Sequence, residues 1–287
     1  MGVAHLSTNI VGTKHRFFMM EIVWYDGAVE FSPSTVIFVG AGPGDPGLIT
    51  ISGVEALRSA TAVFYDYLIP PVILTWAETA KKISVGKSRG HHSKRQDEIN
   101  ELLVTYARQG HRVVRLKGGD PAVFGRLGEE MEYLVRQRIP FRVIPGVSSA
   151  TAATIYSGIP LTYREVARSV AFVTATTFST IETLGDIHIP TADTVVFFMP
   201  LAHLEALVDR VARTGTFSRE TPAAVVSSGT TGAHRQVVGT LQTIAGLARA
   251  ESMKSPSLLI VGEVCRFADE LRWFVPEKGN EEPFICR

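Results

Sequence analysis

The sequence contains few cysteines and no long apolar run. Only two of its 287 residues are cysteines, Cys265 and Cys286, and so low a content is typical of proteins from a reducing compartment. It excludes a disulfide framework and a zinc site built from several cysteines. The longest apolar runs, such as residues 194–199 and 258–261, are too short to span a bilayer and have the length of buried strands. These absences predict a soluble, cytoplasmic protein that does not enter a membrane.

An excess of charge of one sign is also missing. The 29 basic and 28 acidic residues nearly cancel, so the overall charge gives no indication of a nucleic-acid partner. His91 and His92 are adjacent but have no third ligand nearby, and no metal site is predicted.

Residues 1–34 differ in pattern from the rest of the chain. The first 20 residues contain no acidic residue and lack the continuous apolar core of a secretion signal. We expect a poorly ordered N-terminal extension. An organelle-targeting segment and a true start at Met19 or Met20 are the alternatives.

From residue 35 onward, short β-branched runs alternate with helical patterns. A capping-box pattern at residues 93–96 precedes an amphipathic helix, which Gly110 ends. The alternation predicts a mainly parallel sheet covered by helices on both faces. The predicted strands are residues 35–40, 62–65, 82–85, 112–116 and 142–144, and the other predicted helices are residues 51–60, 129–138 and 148–156.

This rhythm breaks at residues 157–160, SGIP, and the break predicts a domain boundary. We assign residues 35–157 to an N-terminal α/β domain, residues 158–275 to a C-terminal α/β domain and residues 276–287 to a tail. Two such domains facing a cleft bind ligands at the carboxyl ends of their strands. The second series has predicted strands at 170–174, 194–198, 223–226 and 258–261, with helices at 201–213 and 241–249.

Glycine-rich loops follow several of the predicted strands. Residues 39–47 read VGAGPGDPG, where glycines allow a tight turn and a close approach to a ligand. The segment is similar to a dinucleotide-binding fingerprint, but Asp45 occupies the position of its third glycine. An acid there would repel a pyrophosphate, so a nicotinamide cofactor is excluded.

Two further loops combine glycine with charged or polar residues. In the first, residues 115–130, Lys117 and Arg126 offer cations and Asp120 offers an acceptor; the alternative is a charged turn in which Arg126 pairs with Glu130. The second, PGVSS at residues 145–149, begins a helix whose free N–H groups suit an anion. Simple capping of that helix by Ser148 is the favoured alternative.

Together these loops resemble the uroporphyrinogen-III C-methyltransferases of the tetrapyrrole methylase family. The resemblance extends over about residues 35–273, with the motifs in order. The segments that carry it are residues 39–47, Tyr65-Asp66, Val85-Gly86-Lys87, residues 112–121, Phe124-Gly125-Arg126, Pro145-Gly146-Val147 and residues 158–162.

The resemblance implies a fold and an activity. We expect two αβα domains with the active-site cleft between them, assembled as a homodimer. The expected activity is S-adenosylmethionine-dependent methylation of uroporphyrinogen III at C2 and C7, giving precorrin-2 via precorrin-1, with S-adenosylhomocysteine as the other product. A later-acting precorrin methyltransferase and a non-catalytic cofactor-binding relative are the alternatives.

The same resemblance implies the site residues. Asp66 is the expected proton acceptor, Lys87 the proton donor, and Arg126 with Glu129 a catalytic and orienting pair. Because the substrate is a polycarboxylate, Arg164 and Arg89 are expected to bind it. Contacts to S-adenosylmethionine are expected from Pro43, Gly118, Gly119, Asp120, Val123, Ser148, Ser149, Met199 and Gly229. The chain departs from the family's usual residues at Leu127, Ala175-Thr176 and Pro200.

Overall fold

The computed structural model describes residues 33–86, 96–175 and 187–276. Within these ranges the chain forms two five-stranded sheets. In these same segments no helix combines the length and the apolarity needed to cross a membrane.

The first sheet is parallel throughout, as predicted. Its strand order is β3-β2-β4-β1-β5, so β4 lies between β1 and β2, and β5 pairs with the other side of β1. The strands β1 and β4 are buried along their whole length. Burial on both faces explains the apolar sequence of β1, whereas β4 carries two buried cations, Arg115 and Lys117. The strands are β1 (Val36–Gly40), β2 (Ala62–Tyr65), β3 (Lys81–Ser84), β4 (Val113–Lys117) and β5 (Phe141–Ile144).

Helices cover both faces of this sheet. Successive residues of a strand point to opposite faces, so Ile37 and Val39 of β1 pack with helices α1 (Ile51–Ser59) and α2 (Pro71–Leu74). Val36 and Phe38 pack on the other face with α3 (Gln96–Arg108) and α4 (Leu127–Arg136). The predicted αβα layering of the N-terminal half is therefore confirmed.

The second sheet is mixed. Its strand order is β6-β7-β10-β8-β9, and only β6 and β7 pair in parallel. One face is covered by α6 (Leu204–Arg213) and α7 (Ile244–Ala250). The strands are β6 (Val170–Thr174), β7 (Thr194–Phe198), β8 (Pro222–Ser227), β9 (Arg235–Thr240) and β10 (Ser257–Val261).

Helix α5 (Ser149–Tyr156) connects the two halves. It follows β5 of the first sheet, but Ala150 and Ala153 pack against the open face of the second sheet, with Val226 and Ile260. The turn of 3-10 helix at Glu263–Phe267 completes this layer. Helix α5 thus begins at the loops of one sheet and packs in the core of the other.

Most predicted elements are present, with shifted ends. Helix α4 begins at Leu127, where Glu129 was predicted, because Arg126 adopts a left-handed conformation just before it. Helix α7 begins at Ile244 rather than at residue 241. The sequence did not predict β9, whose residues are mostly half-buried. The capping box lies largely in residues 87–95, outside the described residues.

Candidate functional site

Loops that follow neighbouring strands of the first sheet meet at one edge. The strands β4, β1 and β5 are adjacent, so their carboxyl ends lie side by side. Gly119 N–H donates to Gly42 O at 2.8 Å, and Gly42 N–H donates to Gly119 O at 3.3 Å. This pairing brings Pro43 close to Gly118 and Gly119, three of the predicted cofactor contacts.

The loop after β5 contacts the other two at Gly146. A Cβ atom on Gly146 would lie 2.3 Å from Gly119 O and 2.7 Å from Gly40 Cα, so only glycine permits this approach. The carboxylate of Asp120 joins the same loops, because it accepts from Gly146 N–H at 3.0 Å and from Ala122 N–H at 2.7 Å. Asp120 therefore holds the loops after β4 and β5 together.

The beginning of α5 lies beside these glycines. Ser148 caps the helix, since its Oγ accepts from Ala150 N–H at 3.3 Å, and the capping role considered from the sequence is confirmed. A Cβ atom on Gly119 would lie 3.7 Å from Ser149 N. The predicted contacts Ser148 and Ser149 are thus next to the β4 loop. Val123 is joined to that loop as well, because its N–H donates to Asp120 O at 3.2 Å.

Two predicted contacts come from the second sheet. Gly229 lies directly on α5, because a Cβ atom on it would lie 2.3 Å from Ala153 Cβ. Met199 follows β7 in a left-handed conformation, with φ of 56°, and its side chain is exposed. The ring of the preceding Phe198 lies 4.8 Å from that of Phe124, in the loop after β4. Gly229 also approaches the loop after β1, because a Cβ atom on Gly44 would lie 3.4 Å from Gly229 O, and the Phe198–Phe124 contact joins the end of β7 to the loop after β4.

A cluster of charged groups, most of them buried, joins the end of β4 to the loop after β2 and to helix α4. Arg115 donates to Glu130 Oε1 at 3.1 Å and to Asp66 Oδ1 at 2.5 Å, and Lys117 Nζ lies 2.8 Å from Glu130 Oε2. Gln96 donates to Glu130 Oε1 at 3.1 Å. Arg115, Lys117 and Glu130 are at most 3 % exposed, whereas the Asp66 side chain is 33 % exposed. Asp66 is thus held by the buried Arg115 and remains partly accessible to solvent.

Opposite charges in this cluster offset the effect of burial on the pKa values of Glu130 and Arg115. Burial alone would raise the pKa of Glu130, but Arg115 and Lys117 hold it below the ordinary glutamate value. Burial would also lower the pKa of Arg115, and the carboxylates of Asp66 and Glu130 raise it instead. Burial, aided by Arg115, lowers the pKa of Lys117. Lys117 was predicted to offer a cation to a ligand, but it is buried against Glu130.

Arg126 and Glu129 form an exposed pair at the start of α4. The guanidinium donates through Nε to Glu129 Oε1 at 2.9 Å and through Nη2 to Oε2 at 2.6 Å. The hydrogen bonds from Arg126 lower the pKa of Glu129. The alternative pairing of Arg126 with Glu130 is wrong, because Glu130 points into the core toward Arg115 and Lys117. The pair expected from the resemblance is the one present.

Three other predicted residues are not brought to this edge by any described contact. Lys87 and Arg89 lie outside the described residues. Arg164 is exposed, in a turn that the bridge between Tyr163 and Ala167 closes. Among the described residues, no group of three or more histidine, cysteine, aspartate or glutamate side chains is arranged to hold a metal ion.

The sequence reasoning missed Arg115 and Glu130. A usable signal was present, because Arg115 and Lys117 are two residues apart in a strand and therefore share a face. Two cations on one face of a central strand require buried anions. Glu130, one turn into the helix that follows, is the acid that forms ion pairs with both of them.

Comparisons with known proteins identify the family of this chain. The family described as Tetrapyrrole (Corrin/Porphyrin) Methylases matches residues 35–245. Siroheme synthase from Pseudomonas putida is 45% identical over 252 residues, which cover 87% of this chain and 54% of that protein. The chain thus spans about half the length of the curated relatives it matches.

Solved structures give the same family. Uroporphyrin-III-C-methyltransferase from Thermus thermophilus is 37% identical, with a TM-score of 0.72, and the match covers 83% of this chain and 98% of that one. A structure of the Thermus enzyme complexed with S-adenyl homocysteine has a TM-score of 0.66 and 35% identity, over 81% of this chain and 99% of that one. The two-domain fold predicted from the resemblance is confirmed. From its loops, its fold and these matches, the chain belongs to the tetrapyrrole methylase family.

Proposed function

We propose that this chain transfers methyl groups from S-adenosylmethionine to C2 and C7 of uroporphyrinogen III, giving precorrin-2 via precorrin-1. The observation that carries the proposal is the meeting of three glycine-rich loops at the carboxyl ends of β4, β1 and β5. In the same sheet Asp66 follows β2, and the buried guanidinium of Arg115 holds its carboxylate. The similarity to uroporphyrin-III-C-methyltransferase, over nearly the whole of that protein, supports the choice of substrate.

S-adenosylmethionine would bind where the loops meet. Backbone N–H and C=O groups at glycines can approach its polar groups closely, and the S-adenyl homocysteine complex of the Thermus relative supports the cofactor class. In the reaction a pyrrole carbon forms a bond to the methyl carbon as the methyl–sulfur bond breaks. Sulfur keeps the electron pair and S-adenosylhomocysteine leaves. Such a displacement depends mainly on alignment of the three reacting atoms and on exclusion of water.

The substrate must lose a proton as its ring electrons rearrange, and Asp66 is the proposed acceptor. Arg115 donates to Asp66 Oδ1 at 2.5 Å, which fixes the orientation of the carboxylate and of its second oxygen, the proposed proton acceptor. Lys87 is the proposed proton donor by resemblance. The nine predicted cofactor contacts and the roles of Asp66 and Lys87 are part of this proposal.

The carboxylates of the substrate require fixed cations. Arg126 is suited to this role because its guanidinium is planar, its side chain is exposed, and Glu129 already orients it. It would bind a propionate or acetate and add positive charge near the reacting ring. Arg164 and Arg89 are proposed to bind further carboxylates.

We further propose that the chain works as a homodimer in the cytoplasm. The siroheme synthase relatives favour a place on the route to sirohaem. The relatives are about twice as long as the matched region, so their remaining activities are not assigned to this chain.

Anaerobic incubation with uroporphyrinogen III and isotopically labelled S-adenosylmethionine tests the proposal, with mass spectrometry of the product. We expect two labelled methyl groups on each product molecule. A single methyl group after long incubation with excess cofactor would contradict the second step. Turnover on a later precorrin but not on uroporphyrinogen III would assign the chain to the later-acting enzymes, and cofactor binding without any turnover would indicate a non-catalytic relative.

A further inference from the structure

Asp45, in the loop after β1, is held by groups from outside the first sheet. Its N–H donates to Thr230 Oγ1 at 3.1 Å, in the loop after β8. Tyr156 OH, from the last residue of α5, donates to Asp45 Oδ2 at 2.7 Å. The other carboxylate oxygen accepts from Gly47 N–H, also at 2.7 Å. Both oxygens of Asp45 are therefore in use, and three separate chain segments meet at this turn.

Close packing accompanies these hydrogen bonds. Gly44 has φ of 151°, and a Cβ atom there would lie 2.5 Å from Thr231 Cγ2, so the loops after β1 and β8 touch where glycine alone fits. The next residue back along the chain is Pro43, a predicted contact of S-adenosylmethionine. Gly229, beside Thr230, is a second predicted contact. The turn therefore joins two parts of the cofactor site that come from different sheets.

The two groups that hold Asp45 are themselves well supported. The ring of Tyr156 lies 4.7 Å from that of Trp273 and 4.8 Å from that of Phe274. Burial and the bond to Asp45 raise the pKa of Tyr156 to about 12, so its hydroxyl keeps the proton it donates. Thr230 is buried, and its N–H donates to His234 Nδ1 at 3.3 Å. Neither group has an alternative position without loss of other contacts.

We propose that Tyr156 and Thr230 are positioning residues of the cofactor site, which fix the Asp45 turn and with it the place of Pro43 against S-adenosylmethionine. The inference rests on the proposed function for the identity of the cofactor. Helix α5 then acts at both ends: Ser148 and Ser149 lie at its beginning beside the β4 loop, and Tyr156 holds the β1 loop from its other end. The side chains of Tyr156 and Thr230 act through Asp45 and need not touch the ligand.

Two nearly isosteric substitutions test this role. Tyr156→Phe removes only the hydroxyl and keeps the ring contacts with Trp273 and Phe274. Thr230→Val removes the acceptor for Asp45 N–H and keeps the β-branched shape. For each variant we expect the dissociation constant of S-adenosylhomocysteine, measured by titration calorimetry, to rise about tenfold. The KM for S-adenosylmethionine should rise similarly, while the KM for uroporphyrinogen III stays unchanged.

Tyr133→Phe provides a matched control, because it removes a tyrosine hydroxyl from α4, where the ring packs against the core between α3 and the first sheet. It should bind S-adenosylhomocysteine like the unmodified protein. A fall in the melting temperature of Tyr156→Phe and Thr230→Val, with unchanged affinity for S-adenosylhomocysteine, would overturn the inference and make these contacts purely structural. Failure of the unmodified protein to bind S-adenosylhomocysteine would instead contradict the proposed function.

Discussion

Glu129 and Glu130 are adjacent in the sequence, but the same substitution should affect different properties. At Glu130 it should lower the stability of the fold, and at Glu129 it should lower turnover with little change in stability. Glu130 is 1 % exposed and accepts from Arg115, Lys117 and Gln96. Glu130→Gln keeps the shape of the side chain but leaves two buried cations with Asp66 as the remaining anion of the cluster. Removal of one partner from a buried ionic cluster costs about 3–5 kcal/mol. The melting temperature should therefore fall by roughly 6–20 °C.

Glu129→Gln is the matched control. Glu129 is exposed and pairs with Arg126, which is exposed as well, and such surface pairs contribute about 0–1 kcal/mol. Its melting temperature should shift by no more than about 4 °C. Turnover should fall, however, because Arg126 loses the group that orients it. Thermal unfolding followed by circular dichroism, with turnover measured on the same samples, compares the two variants.

The acid dependence gives a second measurement on the same pair. The folded-state pKa of Glu130 lies below the ordinary value of 4.5, so its charge stabilises the fold above that value and the contribution is lost as the pH falls toward the folded pKa. The difference in melting temperature between the unmodified protein and Glu130→Gln should therefore narrow below about pH 4.5. Equal losses of stability in Glu129→Gln and Glu130→Gln, or a difference that grows in acid, would refute this account of the buried cluster.

Three further outcomes are expected. Arg126→Leu should reduce turnover by roughly 30- to 1,000-fold with S-adenosylhomocysteine binding unchanged, and Arg126→Lys should restore little; near-normal turnover would remove Arg126 from the site. Gly146→Ala should weaken S-adenosylhomocysteine binding more than tenfold, because the new methyl group would lie 2.3 Å from Gly119 O, whereas Gly128→Ala, where the methyl group meets open space, should bind normally in the same calorimetric titration. Burial lowers the pKa of His234 below 6.5, so the fold loses stability as the pH drops below that value, and S-adenosylhomocysteine affinity should fall once Nδ1 is protonated and cannot accept from Thr230 N–H. His234→Asn keeps an acceptor near that position and should show a flatter dependence of affinity on pH. Identical pH profiles for the variant and the unmodified protein would contradict the role of this bond.

The local parts of the fold could be predicted because local patterns determine them. β1 reads as a continuous apolar strand since it is covered on both faces, and α3 reads as amphipathic since one of its faces is buried. β9 could not be predicted in the same way. Its partner β8 lies just before it in the chain, but its residues are half-buried on both faces and give no clear alternation.

The site could be predicted in part. The glycine loops carry their own signal, because glycine is required where backbones come within contact, as at Gly146. The partners of Asp45 carry none, since Tyr156 and Thr230 are 111 and 185 residues away. Only the packing of α5 against the second sheet brings them together. The choice of Glu129 over Glu130 for Arg126 also depended on the register of α4, which no local pattern in the sequence determines.

The position of α5 has a consequence for how the molecule unfolds. Its alanines contribute to the core beneath β8 and β10, so the C-terminal half expressed alone, from residue 158, would expose that apolar face to water. The N-terminal half would in turn end in a helix with its apolar side uncovered. Because each half covers apolar surface of the other, heat or denaturant should melt the two sheets together and not in two separate steps.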